Sequence, residues 1–403
     1  MPWLELVRRE VRGALSSTSL WMTLLASGPL AALALRRATD SSWLTHDVVV
    51  AVMSAATFTT MLGLPFVIAR TGADHATSRA LVQLGHGATS IVLARFIALG
   101  VALVVTLLPP LTAVAAFAVL VDGAQVDPGA VATVVLGHVC MGIAVIGIGL
   151  LASALTSSAA ALVTLVVTVG AWTLDAQHAP GSFAMPTAAL GVFERGLIDL
   201  RDVVSLVAGG VGLALASAAL MSRTVSLEQR ALRCAGVLLV TALVTGASSQ
   251  LRISADVTRD QLASLSAPFV AALANVGDRV EARVHMGRDD ERVEALERDV
   301  LLPLRRHVKL RTRYEAHTST SARPPANASL VTWRVGAREQ TSDELTAGRV
   351  VPIVLELAGV EVPRVLPRSA PSRHEGGAPM LVLLLLLLAW PLLAVAGIVR
   401  SRR

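Results

Sequence analysis

Eight stretches of this sequence are each long and apolar enough to cross a bilayer as a helix: 16–35, 48–69, 91–121, 130–155, 158–176, 203–222, 231–249 and 379–398. About 20 apolar residues suffice for one crossing. The composition agrees: only 16% of the 403 residues are charged and the mean hydropathy is +0.64. A soluble domain carries roughly a quarter charged residues. The charges are also segregated. Residues 251–379 hold 19 basic and 17 acidic residues, and the other 274 positions hold only 28 charges. The expected fold class is an α-helical polytopic membrane protein of about eight transmembrane helices with an inserted α/β extracytoplasmic domain. The third stretch is overlong and contains Pro109-Pro110, which predicts a kink or break near its outer end. No signal peptide is expected, because no small-residue cleavage site leads into a mature soluble domain.

Loop arginines set the orientation. With the N-terminus in the cytoplasm, one side carries 12 arginines against 4 acidic residues. The other side, leaving out the soluble domain, carries Arg36, Arg37, Arg195 and Arg201 against 8 acidic residues. Positive charge stays inside, so both termini are expected in the cytoplasm and residues 250–378 outside it, in a bacterial cytoplasmic (inner) membrane.

Thirty-four of the 35 basic residues are arginine. A nucleotide-binding P-loop needs a lysine after Gly and before Ser or Thr. The one lysine, Lys309, stands in His307-Val308-Lys309-Leu310, so the chain is not expected to bind ATP that way. Cys140 and Cys234 lie in apolar runs and the soluble segment has no cysteine, which excludes a disulfide scaffold. A net charge of +6 needs no nucleic acid when arginines set membrane orientation.

Residues 2–15 read as a surface helix in the cytoplasmic interface. Trp3, Val7, Val11 and Leu15 recur every four residues, with Glu5, Arg8, Arg9 and Arg12 on the other side. The outer segment 177–202 is too long for a simple turn and too apolar for full solvation. Its end mixes Phe193 and three apolar residues with Glu194, Arg195, Asp199, Arg201 and Asp202. We read it as short helices dipping back toward the bilayer, or equally as an amphipathic surface helix.

The soluble segment shows β-α-β order. Ser266 can cap a helix that carries Pro268 and ends before Gly277. Val280, Ala282, Val284 and Met286 alternate with polar residues as a half-buried strand. A helix starting at Asp289 or Asp290 shows Val293, Leu296, Val300 and Leu304 on one face. A second strand carries Val308, Leu310, Thr312 and Tyr314. Val350–Leu357 and Val360–Val365 read as further strands. Residues 317–328 read as a loop and 366–379 as a linker.

Chemistry-bearing groups are sparse. His285 with Asp289 and Asp290 is the best catalytic constellation, but a strand's polar face and a helix cap account for it. No zinc spacing or hydrolase motif occurs. The arginines of this segment are interspersed with acids, as on an ordinary solvated surface. In the fourth stretch, His138 and Cys140 stand about 200° apart on a helix and are not expected to share a metal. A helix-to-helix hydrogen bond is the expected role of His138. The spans lack a ladder of acidic residues, which argues against proton-coupled transport.

Residues 1–230 resemble the permease subunit of ABC-2 type exporters, especially the gliding-motility-associated branch. The matching features are the helix Trp3–Arg12, six spans, the cytoplasmic run Ala73-Asp74-His75-Ala76-Thr77-Ser78-Arg79-Ala80-Leu81-Val82-Gln83-Leu84, and the segment Phe193-Glu194-Arg195-Gly196-Leu197-Ile198-Asp199-Leu200-Arg201-Asp202-Val203-Val204 leading into the sixth span. The family's Glu, Gly-Thr pair and Pro in the cytoplasmic run are replaced by Gly72, Ala76-Thr77 and Gly85. Residues 231–403 resemble a shortened auxiliary protein of such systems. The marker is Asp256-Val257-Thr258-Arg259-Asp260-Gln261-Leu262-Ala263-Ser264-Leu265-Ser266.

The resemblance implies a permease domain at 1–230, a seventh span at 231–249, an auxiliary domain at 250–378, and an eighth span with a basic tail at 379–403. It implies a non-catalytic subunit without its own cofactor. ATP and Mg would be held by a separate cytoplasmic ABC ATPase. A second permease copy or paralogue completes the pathway, and an envelope protein is a candidate partner of the outer domain. The alternatives are an ATPase-driven mechanotransmitter or assembly scaffold, and a secondary transporter or channel.

With no nucleotide site in the chain, ATP-driven motion has to enter through cytoplasmic contacts. Residues 73–84 are long enough for about three helical turns. Asp74 lies in the first turn, and Thr77, Leu81 and Leu84 form a stripe suited to a groove on the ATPase, with Arg79 on its rim.

Overall fold

The computed structural model describes residues 3–41, 45–72, 81–82, 85–120, 126–156, 160–175, 186–194, 196–222, 225–251, 253–257, 265, 267–277, 279–285, 293, 296–305, 307–314, 331–343, 347–363 and 385–401. The chain divides into two compact units, Met1–Arg259 with Ala370–Arg403, and Asp260–Ser369. Asp74, Thr77, Arg79, Leu84, Arg195, Ser266, Asp289 and Asp290 lie outside the described residues.

The first unit is helical, as in a polytopic membrane protein. Its helices are α1 (Trp3–Leu15), α2 (Thr18–Ser41), α3 (Thr45–Gly72), α4 (Ala88–Leu120), α5 (Pro128–Leu155), α6 (Ala160–Asp175), α7 (Pro186–Phe193), α8 (Leu200–Met221) and α9 (Leu227–Ser248). Near the C-terminus comes α13 (Trp390–Ser401), which follows a π turn, Leu385–Ala389. Two short strands, β1 (Leu197–Asp199) and β2 (Ser254–Asp256), pair antiparallel.

Six described helices are long and apolar enough to cross a membrane: α2, α3, α4, α5, α8 and α9. The fifth and eighth expected spans appear as shorter helices, α6 with 16 residues and α13 with 12. Of the kink or break expected at Pro109-Pro110, the break does not occur, since α4 runs unbroken through both prolines. Both prolines are buried in the bundle. The Trp390 indole N–H donates to Thr112 Oγ1 (3.0 Å) one turn further on.

Small residues bring α5, α8 and α9 together. A Cβ on Gly147 would overlap the backbone of Gly210, so α5 and α8 touch main chain to main chain. Gly212 in turn receives the Thr241 side chain of α9. Beyond that seam α9 is largely uncovered, with Leu239, Leu243 and Leu232 exposed.

The second unit is a two-layer α/β fold with a four-stranded sheet in the order β4-β3-β5-β6. The strands are β3 (Val280–Val284), β4 (Leu310–Tyr314), β5 (Val331–Val335) and β6 (Arg338–Ser342). β3 and β4 run parallel, and the other pairs are antiparallel. The parallel pair needs a crossover. It is supplied by Val293, Leu296 and the helical segment α11 (Leu302–Arg305), which continues the π turn Glu297–Leu301. The predicted face of Val293, Leu296, Val300 and Leu304 is buried as expected.

Helices α10 (Ala267–Leu273) and α12 (Ala347–Ala358) share the same core, centred on the fully buried Trp333. The expected strand Val350–Leu357 is therefore corrected: this run is helical. Its buried residues Val350, Val351, Val354 and Leu355 recur at one and four positions, a helical period. Residues 360–363 carry no strand either.

Candidate functional site

Three places in the first unit join residues far apart in sequence. The first is the seat of α1. Leu6 and Ala14 are fully buried, Val7, Val11 and Leu15 are half-buried, and Arg8, Arg9 and Arg12 are exposed, as amphipathic spacing predicts. Trp3 is 41% exposed, and the buried line runs through Leu6 and Ala14, each one residue before the expected Val7 and Leu15.

Leu6 and Val7 meet Leu81, Ile91 and Ala94. The buried centre of this seat carries a charge pair. Glu10 Oε2 lies 3.5 Å from Arg95 Nε, with side chains 10% and 2% exposed. Sequence reasoning counted Arg95 as a loop charge and passed over Glu10. The available signal was one unassigned carboxylate between Leu6 and Ala14, and one arginine inside the apolar run of α4. Each needs a partner to be tolerated there.

Leu81, assigned to an outward-facing stripe, is fully buried in this seat. That assignment is corrected: the Leu81 side chain is buried against Leu6 of α1 and against Ile91 and Ala94 of α4.

The second place is where α7 meets the middle of α5. Leu190 clusters with Met61 of α3 and Met141 of α5. Phe193 is fully buried against Gly137, Cys140 and Leu206. Met141 lies about 20 Å along α5 from its first turn, at 1.5 Å per residue, so α7 reaches well down the bundle.

His138, fully buried at this level, ties α3 to α5. Its Nδ1 lies 2.7 Å from the Val134 carbonyl and its Nε2 2.8 Å from Thr57 Oγ1. A carbonyl only accepts, so Nδ1–H donates and Nε2 accepts the Thr57 hydroxyl. Both ring nitrogens are thereby used, and Cys140 lies on the other side with Phe193, as the helical angle predicts.

The third place is a clasp. Gly196, with φ of 80°, turns the chain between α7 and β1, a left-handed geometry suited to glycine. Leu197–Asp199 then pairs with Ser254–Asp256. Bonds from Val257 N–H to the Gly196 carbonyl (3.2 Å) and from Leu200 N–H to the Ile253 carbonyl (3.0 Å) frame the pair. The Val257 carbonyl also lies directly against Gly129 at the start of α5.

Asp199 caps α8, its Oδ1 accepting from the Arg201 N–H at 3.0 Å. Asp202 is buried, and its Oδ1 lies 3.8 Å from Arg201 Nε. Glu194 closes α7 through its N–H to the Leu190 carbonyl. The reading of this block as short helices holds for Pro186–Phe193 and is corrected for Leu197–Asp199. A strand forms there because β2 offers a backbone partner that sequence periodicity cannot reveal. No protein-family model matches the chain, and no curated protein or solved structure is significantly similar to it.

Proposed function

We propose that this chain is the membrane-spanning, non-catalytic permease subunit of an ABC exporter, powered by a separate cytoplasmic ATPase that binds the ATP and Mg. The observation that carries the reading is the seat of α1. An amphipathic helix with three exposed arginines is fixed across the foot of α4 by the buried Glu10–Arg95 pair and by Leu6 against Leu81. A force applied to this face from the cytoplasm would pass directly into a 33-residue helix. The chain lacks a P-loop lysine of its own, and the ABC-2 resemblance of residues 1–230 supplies the partner class.

An eight-span topology with both ends inside fits this reading. The starts of α5 and of β1, together with the end of β2, are neighbours, through Gly129, Gly196 and Val257. Since α5 runs away from that end, α6 has to return the chain to it. Ala394 of α13 joins the core of α2, with Gly397 against Trp21 and Leu386 against Gly28, so α13 runs antiparallel to α2. Its basic end at Arg400 thus reaches the side of α1. In this arrangement residues 250–378 stand outside the inner membrane. A second permease copy or paralogue completes the pathway for an unidentified substrate.

The clasp favours a second reading, an ATPase-driven mechanotransmitter. It joins the outer segment by backbone hydrogen bonds to the strand that leads into the α/β unit. Movement of α7 and α8 would be delivered there without any solute crossing.

The test is purification of the full chain in mild detergent. The proposal expects a P-loop ATPase in stoichiometric amount and vanadate-sensitive ATP hydrolysis by the complex. An intact chain that purifies without any nucleotide-binding partner overturns it.

A further inference from the structure

Helix α1 has a second side, turned away from the bundle. Leu6, Glu10 and Ala14 face inward. Residues four apart stand only about 40° from each other around a helix. Leu4, Arg8 and Arg12 therefore form one outward line, and Glu5 and Arg9 a second beside it. All five are exposed, Leu4 at 63%. Among the described residues, the guanidinium groups of Arg8, Arg9 and Arg12 make no hydrogen bond or ion pair. The inward side engages Glu10 with Arg95, which leaves the outward side three arginines against the single carboxylate of Glu5.

The neighbours of α1 fix its depth. It ends at Leu15, and after Ser16 and Ser17 the first apolar span, α2, begins at Thr18. The Trp21 indole N–H, in the first turn of that span, donates to the Leu15 carbonyl at 2.9 Å. The end of α1 is thereby held where the chain enters the bilayer. Ile91, Ala94 and Arg95, which seat α1, all lie within the first eight residues of α4. With 33 residues, α4 is about 50 Å long at 1.5 Å per residue, against a hydrocarbon thickness of about 30 Å. The excess puts the first turns of α4, and α1 across them, among lipid headgroups.

At that depth the line Leu4-Arg8-Arg12 matches the parts of a phospholipid. Guanidinium forks bind phosphate in paired hydrogen bonds. Their aliphatic stems and Leu4 lie along the apolar portion below it. Basic segments beside a span are attracted to an anionic leaflet.

We propose that this side of α1 binds anionic phospholipid headgroups of the leaflet at which α2 begins, through Arg8 and Arg12 with Arg9 beside them. This rests on the membrane-spanning character of the first unit and needs no ATPase. Two features favour lipid over an acidic protein. Exposed Leu4 stands on the same line as the arginines, and the chain enters a span three residues after α1 ends. Helix α1 is then held from two sides, by lipid phosphate outside and by the Glu10–Arg95 pair inside.

The experiment uses the full chain in neutral detergent. The probes are phosphatidylglycerol and phosphatidylcholine bearing the same fluorescent acyl chain, and the readout is the ratio of their affinities. The proposal expects a preference for phosphatidylglycerol that weakens with salt and falls at least about tenfold in Arg8→Gln/Arg9→Gln/Arg12→Gln. Thermal unfolding of that variant should match the parent, because the three side chains are exposed. Glu5→Gln, which removes the carboxylate from this side, should raise the preference about threefold. Arg311→Gln, on β4 of the other unit, should leave it unchanged. No preference in the parent, the same preference in the triple variant, or a weaker one in Glu5→Gln overturns the proposal. Displacement of the labelled lipid by inorganic phosphate, where chloride of equal ionic strength has no effect, assigns the arginines to a soluble anion and overturns it too. Tighter binding of poly-L-glutamate than of phosphatidylglycerol, lost in the triple variant, assigns them to an acidic protein and likewise overturns it.

Discussion

Glu10 and Arg95 are the clearest case of single residues whose meaning depends on each other. Each is a charge on an otherwise apolar surface, and together they lock α1 to α4. Removing either takes the ion-pair partner from a charge held in a buried seat, where breaking a buried pair costs up to about 3–5 kcal/mol. Arg95→Met or Glu10→Gln alone should therefore lower the unfolding temperature of the purified chain sharply, and the double substitution should recover most of the loss. Additive losses in the double variant would show that the two side chains act independently. Neither residue was legible as half of a pair, because their contact spans 85 positions of sequence, from Glu10 to Arg95. His138 was more legible. A lone imidazole in an apolar span needs partners, and Val134 and Thr57 provide them.

At the scale of elements, local periodicity decided what could be read. The apolar runs of α2 to α5 and the alternation in β3 announced themselves. The run Val350-Val351-Pro352-Ile353-Val354-Leu355 reads as strand because it is rich in residues branched at the β-carbon. It folds as α12 because its apolar residues cover the sheet from one side. β6, Arg338–Ser342, has no apolar alternation at all and exists through its ladder with β5. β1 and β2 are three residues each and depend wholly on one another. Their pairing gives a direct test. Ile198 and Ala255 are partners framed by the bonds of a narrow pair, with Cα atoms about 5.5 Å apart in such a pair, within disulfide range. Ile198→Cys with Ala255→Cys, in a chain with Cys140 and Cys234 replaced by serine, should crosslink on mild oxidation. Free thiols at both sites after oxidation would rule out the clasp.

At the scale of the whole molecule, the proposed function requires a separate ATPase to meet the face built on α1. Leu81 is unsuited to probing that face, since a carboxylate there would break the packing with Leu6 before any partner was lost. Thr77, read from the sequence on the same stripe, lies outside the described residues and is the position used instead. The most direct measurement is photo-crosslinking in intact cells from a benzoylphenylalanine placed at Thr77, with the product identified by mass spectrometry. The account predicts a crosslink to a P-loop ATPase, absent when the same group is placed at Gln340 on β6. A chain that is correctly inserted and yields no ATPase product from Thr77, or yields it equally from Gln340, would contradict it.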